Sequence, residues 1–212
     1  MRSAIHALSL ALFGDGLPIA CFPRQPRYRG LGLSDWDGYA RRLKGVLRYT
    51  NTFFDRRPYL DITNIPPRED LQNDFVVSID VFEHVPQPVE NAFAGAAKLL
   101  RPGGKLILSV PYSLDGQTEE HYPELHRFVI KEIMGVQCLI NRKRDGTLEI
   151  FDNLKFHGGI GRTLEMRQFC RDHVLKLLTD TGFEAPLIVD RAPEWGILYD
   201  NECSRTMVAT KK

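Results

Sequence analysis

The sequence predicts an α/β fold, a doubly wound and mostly parallel sheet with helices on both faces, and two observations predict it. "NDFVVSI" (Asn73–Ile79) and "KLILSVP" (residues 105–111) are short unbroken apolar runs, the pattern of strands buried on both sides. Between them, "PVENAFAGAAKLL" puts Val89, Phe93, Ala96, Ala97 and Leu100 on one stripe at helical spacing, and "RPGG" turns the chain back. Strand, helix and strand in this order make a parallel crossover, whose fixed handedness lays the helix on one sheet face.

The remaining elements follow in chain order. Ile5, Leu8, Leu12 and Phe13 recur near helical spacing and predict an amphipathic helix ending at Gly14; His6 and Pro18 argue against a secretory signal. After the connector "CFPRQPRYR", "GLGLSDWDGYARRLKGV" predicts a strand end, a Gly turn and a helix over 35–46 capped by Ser34 or Asp35. "RYTNTFF" is β-branched and aromatic and predicts a strand, and "PYLDIT" a short extended piece before the loop at Pro66 and Pro67. Beyond Pro111, "YSLDGQTEEHYPELHRF" is too charged for a core and is expected to drape over the sheet's carboxyl edge. "VQCLINRKRDGTLEIFDNLKF" predicts a two-stranded hairpin around Asp145-Gly146. "TLEMRQFCRDHVLKLLTDTGF" predicts a helix that Gly182 ends, and "APLIVDR" and "RTMVATKK" are closing strands.

At 212 residues the chain fits one domain spanning residues 1–212, with an insertion or lid over about 112–163. With 28 basic against 27 acidic residues the net charge is +1, which gives no field for nucleic acid or an anionic membrane. No apolar run reaches the roughly 18 residues of a membrane span. The four cysteines lie far apart, without zinc spacing or disulfide density, so a cytoplasmic location with reduced thiols is expected. Composition says nothing about oligomeric state.

"FVVSIDVFEHV" ends its apolar run in Asp80, Glu83 and His84. In an open parallel sheet, ligands sit outside the carboxyl ends of the strands, where the connections diverge and leave a crevice. An ionisable strand end belongs there.

The stretch "DFVVSIDVFEHVPQPVENAFAGAAKLLRPGGKLILSVP" (Asp74 to Pro111) resembles the class I S-adenosylmethionine-dependent methyltransferases of the type 11 kind. It is similar to their fourth strand with its acid and "EHV" end, the helix after it, the "LLRPGG" turn and the fifth strand. "RQFCRDHVLKLLTDTGF" is similar to their last helix. The resemblance implies a seven-stranded Rossmann-like sheet and S-adenosyl-L-methionine as cofactor, with a small molecule or glycan as the acceptor.

The resemblance also implies site residues. Gly30 and Gly32 in "GLGLSDW" stand for the family's glycine loop, with Ser34 and Asp35 at the helix N-terminus beyond them, although Asp35 occupies the place of a third glycine. Asp61 and Ile62 in "PYLDITN" suit the adenine amine and ring, and Ile79 and Asp80 close the pocket. Asp55 is the nearest candidate for the ribose acid, with a surface acid as the alternative. The first motif lies so near Met1 that the natural start is expected upstream.

Methyl transfer from a sulfonium needs alignment and water exclusion above all, and a base only where the acceptor is a protonated hydroxyl or amine. His84 and His121 are the catalytic candidates, against a structural role for the first and a surface position for the second. His157 in "FHGGIGRTLEMR" belongs to a lid or to a plain glycine-rich connection. Asp80, Glu83 and His84 share a D/E-x-x-E-H spacing that some relatives use for a divalent metal. Imidazole suits Mg²⁺ poorly, and no metal is assigned. Two other classes stay open: a catalytically silent binding or scaffolding domain, and a nicotinamide-dependent oxidoreductase, which would want a full GxGxxG.

Overall fold

The computed structural model describes residues 1–66, 72–157, 163–199 and 203–212. Helix α1 (Arg2–Phe13) stops where Gly14 takes a left-handed φ of 74° and donates its N–H to the Leu10 carbonyl at 3.0 Å. Strand β1 (Gln25–Leu33), helix α2 (Asp37–Val46) and strand β2 (Leu47–Thr52) come next. They are followed by β3 (Asn73–Ile79), α3 (Glu90–Leu99) and β4 (Leu100–Ser109). Helix α2 begins two residues later than expected and has no side-chain cap. Ser34 lies in left-handed backbone and the Asp35 carboxylate is bound elsewhere, so neither serves as a cap.

Between β4 and the last helix lie β5 (Tyr112–Ser113), β6 (Glu119–Glu120), β7 (Arg127–Ile133), β8 (Val136–Arg142), β9 (Leu148–Phe151), β10 (Phe156–His157), β11 (Thr163–Leu164) and β12 (Arg167–Cys170). The expected hairpin is a three-stranded antiparallel sheet, β7-β8-β9, because 127–133 also pairs. Helix α4 (Arg171–Asp180) starts eight residues after "TLEMR" begins. Thr163–Leu164 and Arg167–Cys170 are strands, with Arg167 turned inward, and the glycines at 158, 159 and 161 lie outside the described residues. Gly182 follows α4 at φ 95° as expected. Strands β13 (Leu187–Ile188) and β14 (Met207–Thr210) close the chain.

The main sheet has the order β13-β14-β4-β3-β1-β2. Strands β2, β1, β3 and β4 pair in parallel, and β14 and β13 add antiparallel. Among the described residues the main sheet therefore has six strands rather than seven. The short extended piece expected after β2 makes only an isolated bridge, Tyr59 to Phe53. Side-chain alternation assigns the faces. Phe75, Val77 and Ile107 face α1 and α2 with Tyr49, and Val76, Leu106 and Leu108 face α3 and α4. A smaller cluster of Tyr122, Leu139, Leu164 and Met166 lies beneath the β7-β8-β9 sheet. No helix among the described residues is long and apolar enough to cross a membrane.

Candidate active site

Strand β1 pairs with β2 on one side and β3 on the other, and the helices that follow β1 and β3 cover opposite faces of the sheet. The connections diverge at this switch point, which leaves a crevice outside the strand ends. A cavity of about 800 Å³ lies there. Its floor is Leu33 and Ser34 at the end of β1, Thr52 and Phe53 at the end of β2, and Ile79 and Asp80 at the end of β3. Leu60 to Thr63 and His84 to Pro88 form its sides, and Phe128, Leu164 and Met166 its far wall. Of the residues expected from the sequence, the fold brings Ser34, Asp61, Ile62, Ile79, Asp80 and His84 to this one cavity.

Gly30 and Gly32 are a correction. Both lie inside β1, not in a loop after it, and neither lines the cavity. A Cβ on Gly30 would fall 2.1 Å from the Phe75 ring, and one on Gly32 would fall 1.9 Å from the Tyr49 hydroxyl and 2.2 Å from Asp35 Oδ2. The absent side chains make room for Phe75, for Tyr49 stacked on it at 6.1 Å, and for Asp35. Asp35 is also buried below the cavity rather than in it. Its N–H donates to Asn51 Oδ1 at 2.9 Å, Asn51 Nδ2 donates to its carbonyl at 2.7 Å, and the Tyr49 hydroxyl donates to its carboxylate. Burial pushes the Asp35 carboxyl up to about 7, against the hydroxyls of Tyr39 and Tyr49, which lower it. Burial and the adjoining Asp35 raise both tyrosines.

Ser34 and Asp80 mark the ends of β1 and β3 with φ of 58° and 55°, a conformation that non-glycine residues hold only when their surroundings impose it. The Ser34 N–H donates to the Thr52 carbonyl at 2.7 Å. The Asp80 N–H donates to the Ser109 carbonyl at 2.9 Å, and Ser109 Oγ donates to Asp80 Oδ1 at 2.8 Å. Asp61 closes a turn, its Oδ1 accepting from Thr63 N–H at 2.9 Å and Oγ1 at 2.7 Å. Helix α3 comes so close that a Cβ on Gly95 would lie 1.8 Å from the Ile62 carbonyl oxygen. Asp55 is exposed beside Arg56, at 3.5 Å, and does not line the cavity.

His84 sits in the short 3-10 turn Phe82–His84. Its Nδ1 is 2.8 Å from the Leu164 carbonyl, which can only accept, so Nδ1 carries a proton and Nε2 the lone pair of the neutral ring. Burial lowers its pKa against that hydrogen bond, which favours the neutral form. Glu83 beside it has no exposed surface, and neither carboxyl oxygen has a hydrogen-bond partner. Burial pushes that carboxyl up to about 9. His157 Nδ1 stands 3.3 Å and His84 Nε2 3.8 Å from Glu83 Oε1. His121 is corrected in place: it does not line the cavity, and its Nε2 is 3.2 Å from Glu165 Oε1. Sequence reasoning missed Arg167, which is fully buried. Its Nη1 donates to the carbonyls of Phe82 and Val85 at 3.0 and 2.6 Å, and its Nε to Glu120 at 2.6 Å, clamping the turn that carries His84. A cation inside "TLEMRQFC" is the one sign of it in the sequence.

A family model described as a methyltransferase domain matches residues 44–108, from the end of α2 through most of β4. An S-adenosylmethionine-dependent methyltransferase from Clostridium acetobutylicum shares the fold at a TM-score of 0.52 and 13% identity, over 86% of this chain and 83% of that one. This is the class I S-adenosylmethionine-dependent methyltransferase fold. The match to a methyltransferase domain and the shared fold both point to S-adenosylmethionine as the cofactor. The chain is also similar to the 1,6-didemethyltoxoflavin-N1-methyltransferase of Burkholderia thailandensis, solved with S-adenosylhomocysteine (TM-score 0.51, 16% identity, 100% of this chain and 76% of that one). The sugar N-methyltransferase KedS8 from a Streptoalloteichus species is comparably similar (0.52, 13%, 99% and 88%). No curated protein sequence matches the chain.

Proposed function

We propose that the chain moves the methyl group of S-adenosylmethionine to a hydroxyl or amine of a small molecule or glycan, with the donor held in the switch-point cavity. One observation carries this reading: residues from four separate segments, Ser34, Asp61 with Ile62, Ile79 with Asp80, and His84, line a single cavity. Asp61 would accept from the adenine amine, Ile62 would pack on its ring, and Ser34 and Asp80 would meet the ribose and methionine portions. The acceptor's lone pair attacks the methyl carbon, the C–S bond breaks toward sulfur, and S-adenosylhomocysteine leaves. A neutral His84 takes the proton that the acceptor loses. The 1,6-didemethyltoxoflavin and sugar methyltransferases that share the fold support an acceptor of that class. Gly30 and Gly32, enclosed within β1, offer no dinucleotide loop and speak against a nicotinamide enzyme.

Calorimetry with S-adenosylhomocysteine tests the reading. Affinity on the order of micromolar is expected, weakened about tenfold or more in Asp61→Ala. No binding at millimolar ligand would leave a silent scaffolding domain instead. Labelled donor with cell extract, followed by mass analysis of the product, identifies the acceptor.

A second reading is that a divalent metal assists. Glu83, His84 and His157 bring ligand atoms within 4.8 Å of one another. The fit is supported by the unpartnered Glu83 carboxyl and by the Leu164 carbonyl, which fixes His84 with Nε2 free. Asp80 of the sequence motif is instead occupied by Ser109. Two imidazoles and a carboxylate suit Zn²⁺ or Co²⁺ better than Mg²⁺. Such an ion would acidify an acceptor hydroxyl. Co²⁺ added to the protein should give visible absorption bands that Glu83→Gln removes; identical spectra for both proteins would dismiss the metal.

A further inference from the structure

The chain has two tryptophans, and both line a second cavity, of about 410 Å³, that shares no lining residue with the first. It is bounded by α1, by the start of α2 and by the turn at Trp195, and three glycines let its walls form. The Trp36 ring lies over Gly38, where a Cβ would fall 2.1 Å from it. His6 lies against Gly16, 2.4 Å from the place of a Cβ, with its ring 6.0 Å from that of Trp195. Arg2 crosses Gly196 and donates from Nη1 to its carbonyl at 3.4 Å.

The charge of the lining is one-sided. Arg2 and Arg42 contribute guanidinium groups, and no Asp or Glu is among the described residues that line the cavity. Arg42 makes no ion pair among the described residues, whereas Arg41 beside it is paired with Asp37 at 3.1 Å. With a net charge of only +1 on the whole chain, this local excess of cations is not a general property of the surface. Indole walls favour the face of a ring, and guanidinium groups match the geometry of phosphate oxygens. The volume suits one ring with one phosphate.

We propose that this cavity is a ligand site separate from the donor site, for a phosphate ester of a ring compound, either a nucleotide or a sugar phosphate. The ring rests against Trp36 and Trp195, and the phosphate lies on Arg2 and Arg42. The proposal goes beyond methyl transfer and does not depend on it.

Because the chain has no other tryptophan, intrinsic tryptophan fluorescence reports on this cavity alone. Uridine 5′-monophosphate and glucose 1-phosphate would be titrated separately, with and without excess S-adenosylhomocysteine. At least one is expected to change the emission saturably, with a midpoint of about a millimolar or tighter, and S-adenosylhomocysteine should leave that midpoint unchanged. Uridine, glucose and inorganic phosphate should each bind about tenfold more weakly or worse. Arg42→Gln, at an exposed position, should keep its thermal melt and lose about tenfold in affinity. The tighter of the two phosphates identifies the source. No saturation with either, an unchanged midpoint in Arg42→Gln, or displacement of the phosphate ester by S-adenosylhomocysteine would overturn the proposal. Donor binding by calorimetry is read separately, so failure of one site leaves the other standing.

Discussion

Asp35 has lost nearly all contact with water, yet it lies one residue from the cavity floor, and its protonation should be visible in the stability of the whole chain. Its folded pKa, about 7, lies above the ordinary 3.8. Between those values the folded chain holds a proton that the unfolded chain has released. The contribution is therefore complete below about pH 4 and is lost as pH rises through 7, at up to about 1.4 kcal/mol per pH unit. Asp35→Asn removes the titrating group while keeping an oxygen to accept from Tyr49. Chemical denaturation from pH 4 to 8 should show a shallower decline for the variant than for the parent. Parallel curves would mean that Asp35 stays ionised when folded, with Tyr49 and Tyr39 outweighing its burial.

At the scale of elements, two helical glycines with opposite surroundings separate propensity from packing. Gly45, near the end of α2, has nothing within 4 Å of where a Cβ would stand, whereas Gly95 in α3 has the Ile62 carbonyl at 1.8 Å. Gly45→Ala should gain up to about 1 kcal/mol from helix propensity. Gly95→Ala should lose roughly 1–3 kcal/mol through overpacking and, by lifting Asp61 and Ile62, weaken S-adenosylhomocysteine binding. Equal effects of the two on thermal melts would show that α3 yields freely. The same contrast explains what was legible in the sequence. Strands β3 and β4 and helix α3 could be read because burial on both faces leaves unbroken apolar runs and a helical stripe. Strand β12 could not, because "RQFC" is held by pairing with β5 and β6 and by Arg167 reaching the carbonyls of Phe82 and Val85, about eighty residues away. Gly30 and Gly32 were read as a ligand loop because the sequence cannot show that Phe75 and the Tyr49–Asp35 pair already fill the space beside them. His157 was legible only as a lid or a connection, since what distinguishes it is its distance from Glu83.

Across the whole molecule, burial divides the chain into parts that should open at different free energies. Phe75, Val76 and Leu106 to Leu108 are fully buried between two helix layers, while β7 is exposed along its entire length and its sheet rests on the small cluster around Leu139. Amides of β3 and β4 should exchange with solvent only through global unfolding, and those of β7, β8 and β9 through an earlier, separate opening. Leu139→Ala should cost about 2–5 kcal/mol locally and speed exchange in β7 to β9 while leaving β3 and β4 nearly unchanged. Phe128, Leu164 and Met166 carry this unit to the far wall of the cavity, so a ligand that touches that wall must also slow its exchange. S-adenosylhomocysteine alone, held mainly by the strand ends, should protect the unit less than donor product and acceptor together. Exchange at one common rate throughout the chain would show instead that the far wall is as rigid as the sheet and that acceptor entry needs no separate opening.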